Sequence, residues 1–207
     1  MSSLDTVQWL AIAATCLLAA MSPGPSTLVV LNYALGSNKC SGIFSALSHG
    51  LAIGIYALIA VFGLSSALQV SPIVADVVRF LGLALLMALS IKLLATRATA
   101  LSNNSSQLRN SHWSAVRDGF LVAWVNPKVM LFFIAIFSQF IQQTTPIYDR
   151  VALVIMVALI DALWYLLLVL VVSHFALAER LHNRIWVLDR VLGGLLLLIC
   201  INYLFSF

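Results

Sequence analysis

The fold is decided by Ser22-Pro23-Gly24-Pro25, inside an apolar run from about 7 to 35, and by Asn126-Pro127-Lys128, inside an apolar run from about 115 to 140. Proline removes an amide hydrogen bond and clashes with the preceding helical turn, so both sequences predict a broken helix. Backbone groups freed at membrane depth are tolerated where they are buried in protein or border a cavity. A matched pair of such breaks is typical of a transporter's substrate site.

Composition places the chain in a lipid bilayer. Of its 207 residues, 62% are hydrophobic and 9% are charged, whereas a water-soluble domain carries roughly 25% charged residues. The net charge of +4 comes without a long basic run, so no nucleic-acid partner is expected. The first ten residues carry Asp5 and no positive charge, which argues against a cleaved signal peptide. The cysteine and histidine spacings fit no metal site, and we expect neither a metal nor a cofactor.

Six apolar segments are long enough to cross a bilayer, and they lie near 7–35, 43–68, 72–95, 115–140, 147–174 and 187–206. We therefore predict an all-α membrane protein with a three-helix unit at 1–97, a polar linker at 98–113 and a second three-helix unit at 114–207. Eight lysines and arginines belong to the loops after spans one, three and five, and two belong to the other loops. This bias predicts a cytoplasmic linker and both termini outside.

The two units share features in matching positions. Span three begins with Arg79-Phe80-Leu81-Gly82 and span six with Arg190-Val191-Leu192-Gly193, and spans one and four share the proline break. Either match alone is explained equally well by coincidence in leucine-rich sequence, but together they favour two homologous halves. Because each half has an odd number of spans, the second half must enter the membrane from the opposite side. We therefore predict an inverted repeat with helices one and four broken.

The two breaks supply the first candidate site residues. Ser22 and Asn126 are good N-caps before a proline, so each break can start a half-helix whose free amides suit a carboxylate. We predict that the amides after Pro25 and Pro127 converge on one site. The substrate-binding candidates at the breaks are Pro23, Gly24, Pro25, Ser26, Asn126, Pro127 and Lys128. The alternative interpretation is a simple kink at each proline.

Asp161 is the second source of chemistry, because it lies in the middle of span five. A carboxylate at that depth costs roughly 2.5–3.5 kcal/mol and normally faces a cavity or a partner. Trp164 and Tyr165 follow at i+3 and i+4, and aromatic rings beside a carboxylate suit an ammonium group. The alternative interpretation is that Asp161 forms a structural ion pair with Lys128. The two interpretations are compatible if a substrate competes for that ion pair. Asp161 and His49 are the candidates for proton coupling, although a hydrogen-bonded packing role for His49 is equally compatible with its position.

These residues together resemble the lysine/homoserine-lactone exporter family, the LysE/RhtB type of bacterial inner membranes. The similarity covers nearly the whole chain, through SPGPSTLVVLNYALGSNKCSGIFSALSHG, GFLVAWVNPKVMLFFIAIFSQF and Asp161-Ala162-Leu163-Trp164-Tyr165. It implies a six-helix inverted-repeat fold, often oligomeric, that exports amino acids or their derivatives in exchange for protons. Many members carry Asn or Asp directly after P-G-P, where this chain has Ser26, so a member's substrate is not carried over.

The function that we expect is therefore secondary transport, with an amino acid, protons and the lipid bilayer as partners and a homo-oligomer as a further expectation. A transporter of another small solute or of a metal ion is one alternative, but a hard-metal path normally offers several intramembrane carboxylates or hydroxyls, and Asp161 stands alone at that depth. An intramembrane enzyme is the other alternative. The chain lacks the HExxH spacing that a membrane metalloprotease needs. Ser48 and His49 cannot form a catalytic pair, because neighbouring side chains on a helix point apart.

Overall fold

The computed structural model describes residues 4–22, 24–36, 38–95, 111–174 and 185–205. Regular structure in these residues is entirely α-helical: α1 (Thr6–Met21), α2 (Pro25–Gly36), α3 (Lys39–Leu68), α4 (Pro72–Leu94), α5 (His112–Trp124), α6 (Pro127–Phe140), α7 (Ile147–His174) and α8 (Ile185–Phe205). Pro23 and most of the linker predicted at 98–113 lie outside the described residues.

Both proline sequences break a helix, as predicted. α1 and α2 meet at an angle of 60°, and α5 and α6 meet at 52°. Within the described ranges, α3, α4, α7 and α8 are each long and apolar enough to cross a membrane, and the number of such spans rises to six if each bent pair is one span. The prediction of an all-α, multi-pass membrane protein is confirmed, and the observed helices begin within four residues of the predicted spans.

Helices α1 and α3 start earlier than predicted because a polar cap, Asp5 or Asn38, precedes each apolar run. Asn38 accepts a hydrogen bond from the Ser41 amide, so α3 begins at Lys39 and not near 43. The first break also differs. Ser22 ends α1, its amide donating to the Leu18 carbonyl at 2.9 Å, and does not cap α2. α2 starts at Pro25, where the Gly24 carbonyl accepts from the Leu28 amide at 3.2 Å.

Helices α3 and α7 cross at the centre of the protein and run antiparallel. Gly50 lies against Ala162, and a Cβ added at Gly50 would stand only 2.7 Å from the Ala162 Cβ. One turn further along α3, Gly54 lies against Ala158, which comes one turn earlier in α7. Small residues allow this close approach. The contact fixes which side chains of the two helices face each other.

The remaining packing surrounds this crossing. α2 packs on α7 and α6 packs on α3, so the second half of each broken span contacts the long central helix of the other unit. α4 packs on α8 and on α6, and α1 packs on α7 and α8. Reciprocal contacts of this kind are what two inverted three-helix units require, and the inverted repeat itself stays a prediction.

Candidate substrate cavity

A cavity of about 650 Å³, measured out to its open mouth, lies between the two helix breaks. Residues on both sides of the first break, residues from Asn126 onward at the second break, and the centres of α3 and α7 form most of its wall. The residues that give this wall its polar character are Ser22, Gly24, Ser26, His49, Asn126, Lys128, Asp161 and Tyr165. The structure therefore brings most of the predicted site residues to one place.

His49 and Asp161 form a hydrogen-bonded pair inside this cavity. The His49 Nδ1 lies 2.6 Å from the Asp161 Oδ2, and both residues are buried, with exposed fractions of 2% and 6%. The other ring nitrogen, Nε2, is buried and has no hydrogen-bond partner among the described residues. The crossing of α3 and α7 at Gly50 places the two side chains face to face. A buried carboxylate beside an imidazole can hold or release a proton, or accept another cation.

The two aromatic candidates have different surroundings. Tyr165 lines the cavity, with its ring centroid 4.6 Å from that of His49 and its hydroxyl 3.4 Å from the Thr27 Oγ1. Trp164 packs instead against the buried cluster around Val30 and does not line the cavity. Positions i+3 and i+4 lie on opposite sides of residue i on a helix, and only the Tyr165 side of Asp161 faces the open space.

Lys128 has a different partner from the one predicted, so its expected ion pair with Asp161 is wrong for this structure. The Lys128 Nζ lies 3.6 Å from the Asp189 Oδ1 and 2.5 Å from the Ser22 Oγ, while the Ser22 hydroxyl itself donates to Asp189. Lys128 and Asp161 line the same cavity, but the contacts of the Lys128 ammonium are with Ser22 and Asp189. The partner of Asp161 is His49 instead.

The second break is closed by its own polar groups. Asn126 caps α6 as predicted, its Oδ1 accepting from the Lys128 amide at 3.0 Å, and its carbonyl accepts from the Val129 amide at 3.1 Å. Tyr56 on α3 donates to the Trp124 carbonyl at 2.5 Å, which satisfies a group freed at the end of α5. These first amides of α6 already have partners, so α6 does not offer them to a carboxylate as expected. The N-terminus of α2 remains as a carboxylate-binding helix end, and α6 offers the Lys128 side chain instead.

The two prolines that start the half-helices do not line this cavity. Pro127 borders a second cavity on the far side of Lys128, and Pro25 is absent from the wall that Gly24 and Ser26 form. Proline has no amide hydrogen to offer, so its contribution is the break itself.

Sequence reasoning missed two residues here. Asp189 is 6% exposed and holds Lys128 and Ser22, and Cys16 is 5% exposed and lines the cavity one and a half turns before the first break. Asp189 stands at the third position of the predicted sixth span, and an acid inside an apolar span was the available signal. Cys16 gave no signal beyond its apolar surroundings. Among the residues that the structure describes, no group of three or more His, Cys, Asp or Glu side chains could hold a metal ion.

A multi-pass helical protein whose two broken helices border one cavity with a buried carboxylate has the architecture of a membrane translocator. The chain belongs to the LysE type translocator family, whose sequence profile matches residues 17–206. The resemblance seen in the proline motifs is thereby confirmed.

Individual relatives are more distant. The chain is 27% identical over 124 residues to the leucine efflux proteins of Salmonella typhimurium and Salmonella typhi, across 60% of this chain and 58% of theirs. It is 28% identical over 161 residues to the uncharacterized membrane protein YrhP of Bacillus subtilis, across 73% of this chain and 77% of that protein. The match to the leucine efflux proteins thus spans little more than half of their length. No solved structure matches the chain.

Proposed function

We propose that this protein exports a neutral, aliphatic amino acid across the bacterial inner membrane in exchange for protons. One observation carries the proposal: residues of both helix breaks and the buried His49–Asp161 pair border a single cavity. The family supports transport, and the name of the Salmonella relatives supports an amino acid as cargo. The chemistry of the cavity wall supports the finer choices.

The polar groups of the cavity match the two charged ends of an amino acid. Asp161 offers a carboxylate to the ammonium group, with the Tyr165 ring beside it. Gly24 and Ser26 line the cavity at the N-terminus of α2, where the helix dipole favours an anion, and Lys128 adds a positive charge. Separate binding of the two ends lowers the cost of bringing a zwitterion to membrane depth.

The rest of the wall is apolar and favours an aliphatic side chain. Its members are hydrophobic residues from α1, α3, α4, α6, α7 and α8: Ala20, Ile53, Leu89, Val129, Phe132, Phe133, Val157 and Leu192. A charged side chain on the cargo would leave an unpaired charge against these residues, at a cost of several kcal/mol. Leucine and its branched relatives bury apolar surface there at about 25 cal/mol per Å².

Proton exchange follows from the competition for Asp161. The carboxylate can bind a proton, which His49 can share, or it can bind the ammonium group of the cargo. Once the carboxylate is protonated, it no longer carries the charge that attracts the ammonium group, so the two compete. A proton that arrives from outside would displace the cargo there and return the empty carrier inward. The unpartnered His49 Nε2 offers a second point from which a proton can enter or leave the pair.

The experiment is transport by purified protein in liposomes, with leucine, leucinamide and lysine compared. We expect accumulation of labelled leucine to be driven by a proton gradient. We expect leucinamide, which lacks the carboxylate, and lysine, which adds a charge, to compete at least tenfold more weakly than leucine. Equal competition by leucine and leucinamide would refute the carboxylate site, and leucine movement that ignores the proton gradient would refute the exchange.

A further inference from the structure

A second cavity, of about 980 Å³ including its mouth, adjoins the first. Its walls come from the last turns of α4, the start of α6 and Asp189 of α8. Lys128 and Leu89 border both cavities, so these two side chains form the partition between them. Lys92 stands at the end of α4 on the far side, and the lysine and arginine bias assigns that end of α4 to the cytoplasm.

Of the described residues that line both cavities, only Lys128 is polar, and it forms an ion pair with Asp189. Asp189 is 6% exposed, and it contacts the Lys128 ammonium at 3.6 Å and the Ser22 hydroxyl. These three residues come from three separate elements: the end of α1, the start of α6 and the first turns of α8. The Lys128 side chain is 34% exposed, so Asp189 is the buried member of the pair. A buried charge has a large desolvation cost, which an apolar residue at position 189 would avoid.

We propose that the second cavity is an entry site for the same zwitterionic cargo, with Asp189 binding its ammonium group and Lys128 its carboxylate. The proposal rests on the proposed function of the central cavity. A zwitterion carries the two charges needed to replace each member of the Lys128–Asp189 pair, so it can separate them without leaving either charge buried and alone. Lys128 then follows the carboxylate into the central cavity, whose wall it already shares.

The wall of the second cavity fits this role. Leu85, Leu93 and Leu131 supply apolar surface for the side chain of the cargo, while Lys92 keeps the rim positive. Ser22 links the pair to the end of α1, immediately before the first break. Opening of the pair therefore releases contacts at both broken spans together, which couples arrival of the cargo to a movement of the breaks.

Ala88 provides a reporter for occupancy, because it is exposed and lines the second cavity but not the first. We would place a single cysteine there, as Ala88→Cys, in a chain whose three native cysteines are alanine. The measurement is the rate of labelling by a maleimide in purified protein, with and without saturating leucine. Four variants are compared: Asp189→Asn, Asp189→Glu, Asp161→Asn for the central site, and Asp76→Asn as a matched control on the exposed face of α4.

We expect leucine to slow labelling at least fivefold in the parent, in Asp161→Asn and in Asp76→Asn, and to have no effect in Asp189→Asn. Asp189→Glu should restore protection, and an unchanged labelling rate without leucine would show that Asp189→Asn keeps its fold. Protection that survives in Asp189→Asn, or that is absent from the parent while leucine is still transported, would overturn the entry site. Protection that persists although leucine is not transported would instead reject the proposed function and keep the entry site.

Discussion

Asp161→Asn separates the role of Asp161 in folding from its role in transport. The asparagine Oδ1 can still accept a hydrogen bond from the His49 Nδ1, which is 2.6 Å from the native carboxylate. A hydrogen bond to a charged group contributes about 1.5–3 kcal/mol and a neutral one about 0.5–1.5 kcal/mol, so the expected loss of stability is about 1 kcal/mol. This is small against the roughly 5–15 kcal/mol that stabilises a folded protein. The variant should therefore fold and insert.

Transport should respond far more strongly than stability. An ammonium group that reaches membrane depth without its carboxylate partner costs about 2.5–3.5 kcal/mol. Since each 1.4 kcal/mol is a factor of ten, leucine transport should fall by about 100-fold or more. Asp161→Glu should also be severely impaired, because α3 and α7 touch at Gly50 and Ala162 and leave little room for another methylene beside His49.

The assay is exchange of labelled leucine in liposomes, with elution of the purified variant from a sizing column as the test of folding. Asp76→Asn is the matched control, since Asp76 is an exposed acid that borders neither cavity. Asp161→Asn with the transport rate of the parent protein at every external pH would remove Asp161 from both substrate binding and proton coupling, and the reasoning above would fail.

Three further outcomes follow. Gly50→Ala should cost about 1–3 kcal/mol of stability and reduce transport, because its Cβ would lie 2.7 Å from the Ala162 Cβ. Gly63→Ala on the same helix meets no atom within 4 Å, so it should be neutral in the same thermal unfolding and exchange assays. His49→Asn keeps a nitrogen donor near Asp161 but removes the second ring nitrogen, so leucine should still bind while its exchange for protons weakens. Proton-driven exchange at the parent rate would contradict a role for His49 in proton coupling. Reporter fusions should place Asn104 in the cytoplasm and the C-terminus outside, and a cytoplasmic C-terminus would reject the predicted orientation.

The sequence was sufficient for the helices because their signals are local. Apolar runs of span length and two proline motifs predicted six crossings and both breaks, and the error at the start of α3 came from the capping side chain of Asn38. Partners of charged side chains are not local. Lys128 pairs with Asp189, 61 residues away in the sequence, and neither this tertiary contact nor the 52° bend beside it can be read from Asn126-Pro127.

One pairing could have been anticipated from the repeat. His49 and Asp161 are 112 residues apart, and the R-x-L-G sequences that start at Arg79 and Arg190 are separated by almost the same interval. If the two halves are equivalent, His49 and Asp161 occupy corresponding positions on corresponding helices. Corresponding residues of an inverted repeat meet only near the axis that relates the halves. The repeat therefore predicts both the contact and its central position.

That position has a consequence for how such a carrier would work. If one half rocks against the other, residues far from the axis separate on one side of the membrane and approach on the other, while residues on the axis move least. The His49–Asp161 pair lies beside the antiparallel contact of Gly50 with Ala162, where α3 and α7 are closest. The Ser22–Lys128–Asp189 contacts tie both breaks to α8. The fixed His49–Asp161 pair would thus bind the proton or the cargo, while the Lys128–Asp189 pair opens and closes. The first pair would serve proton coupling, and the second would control access to the central cavity.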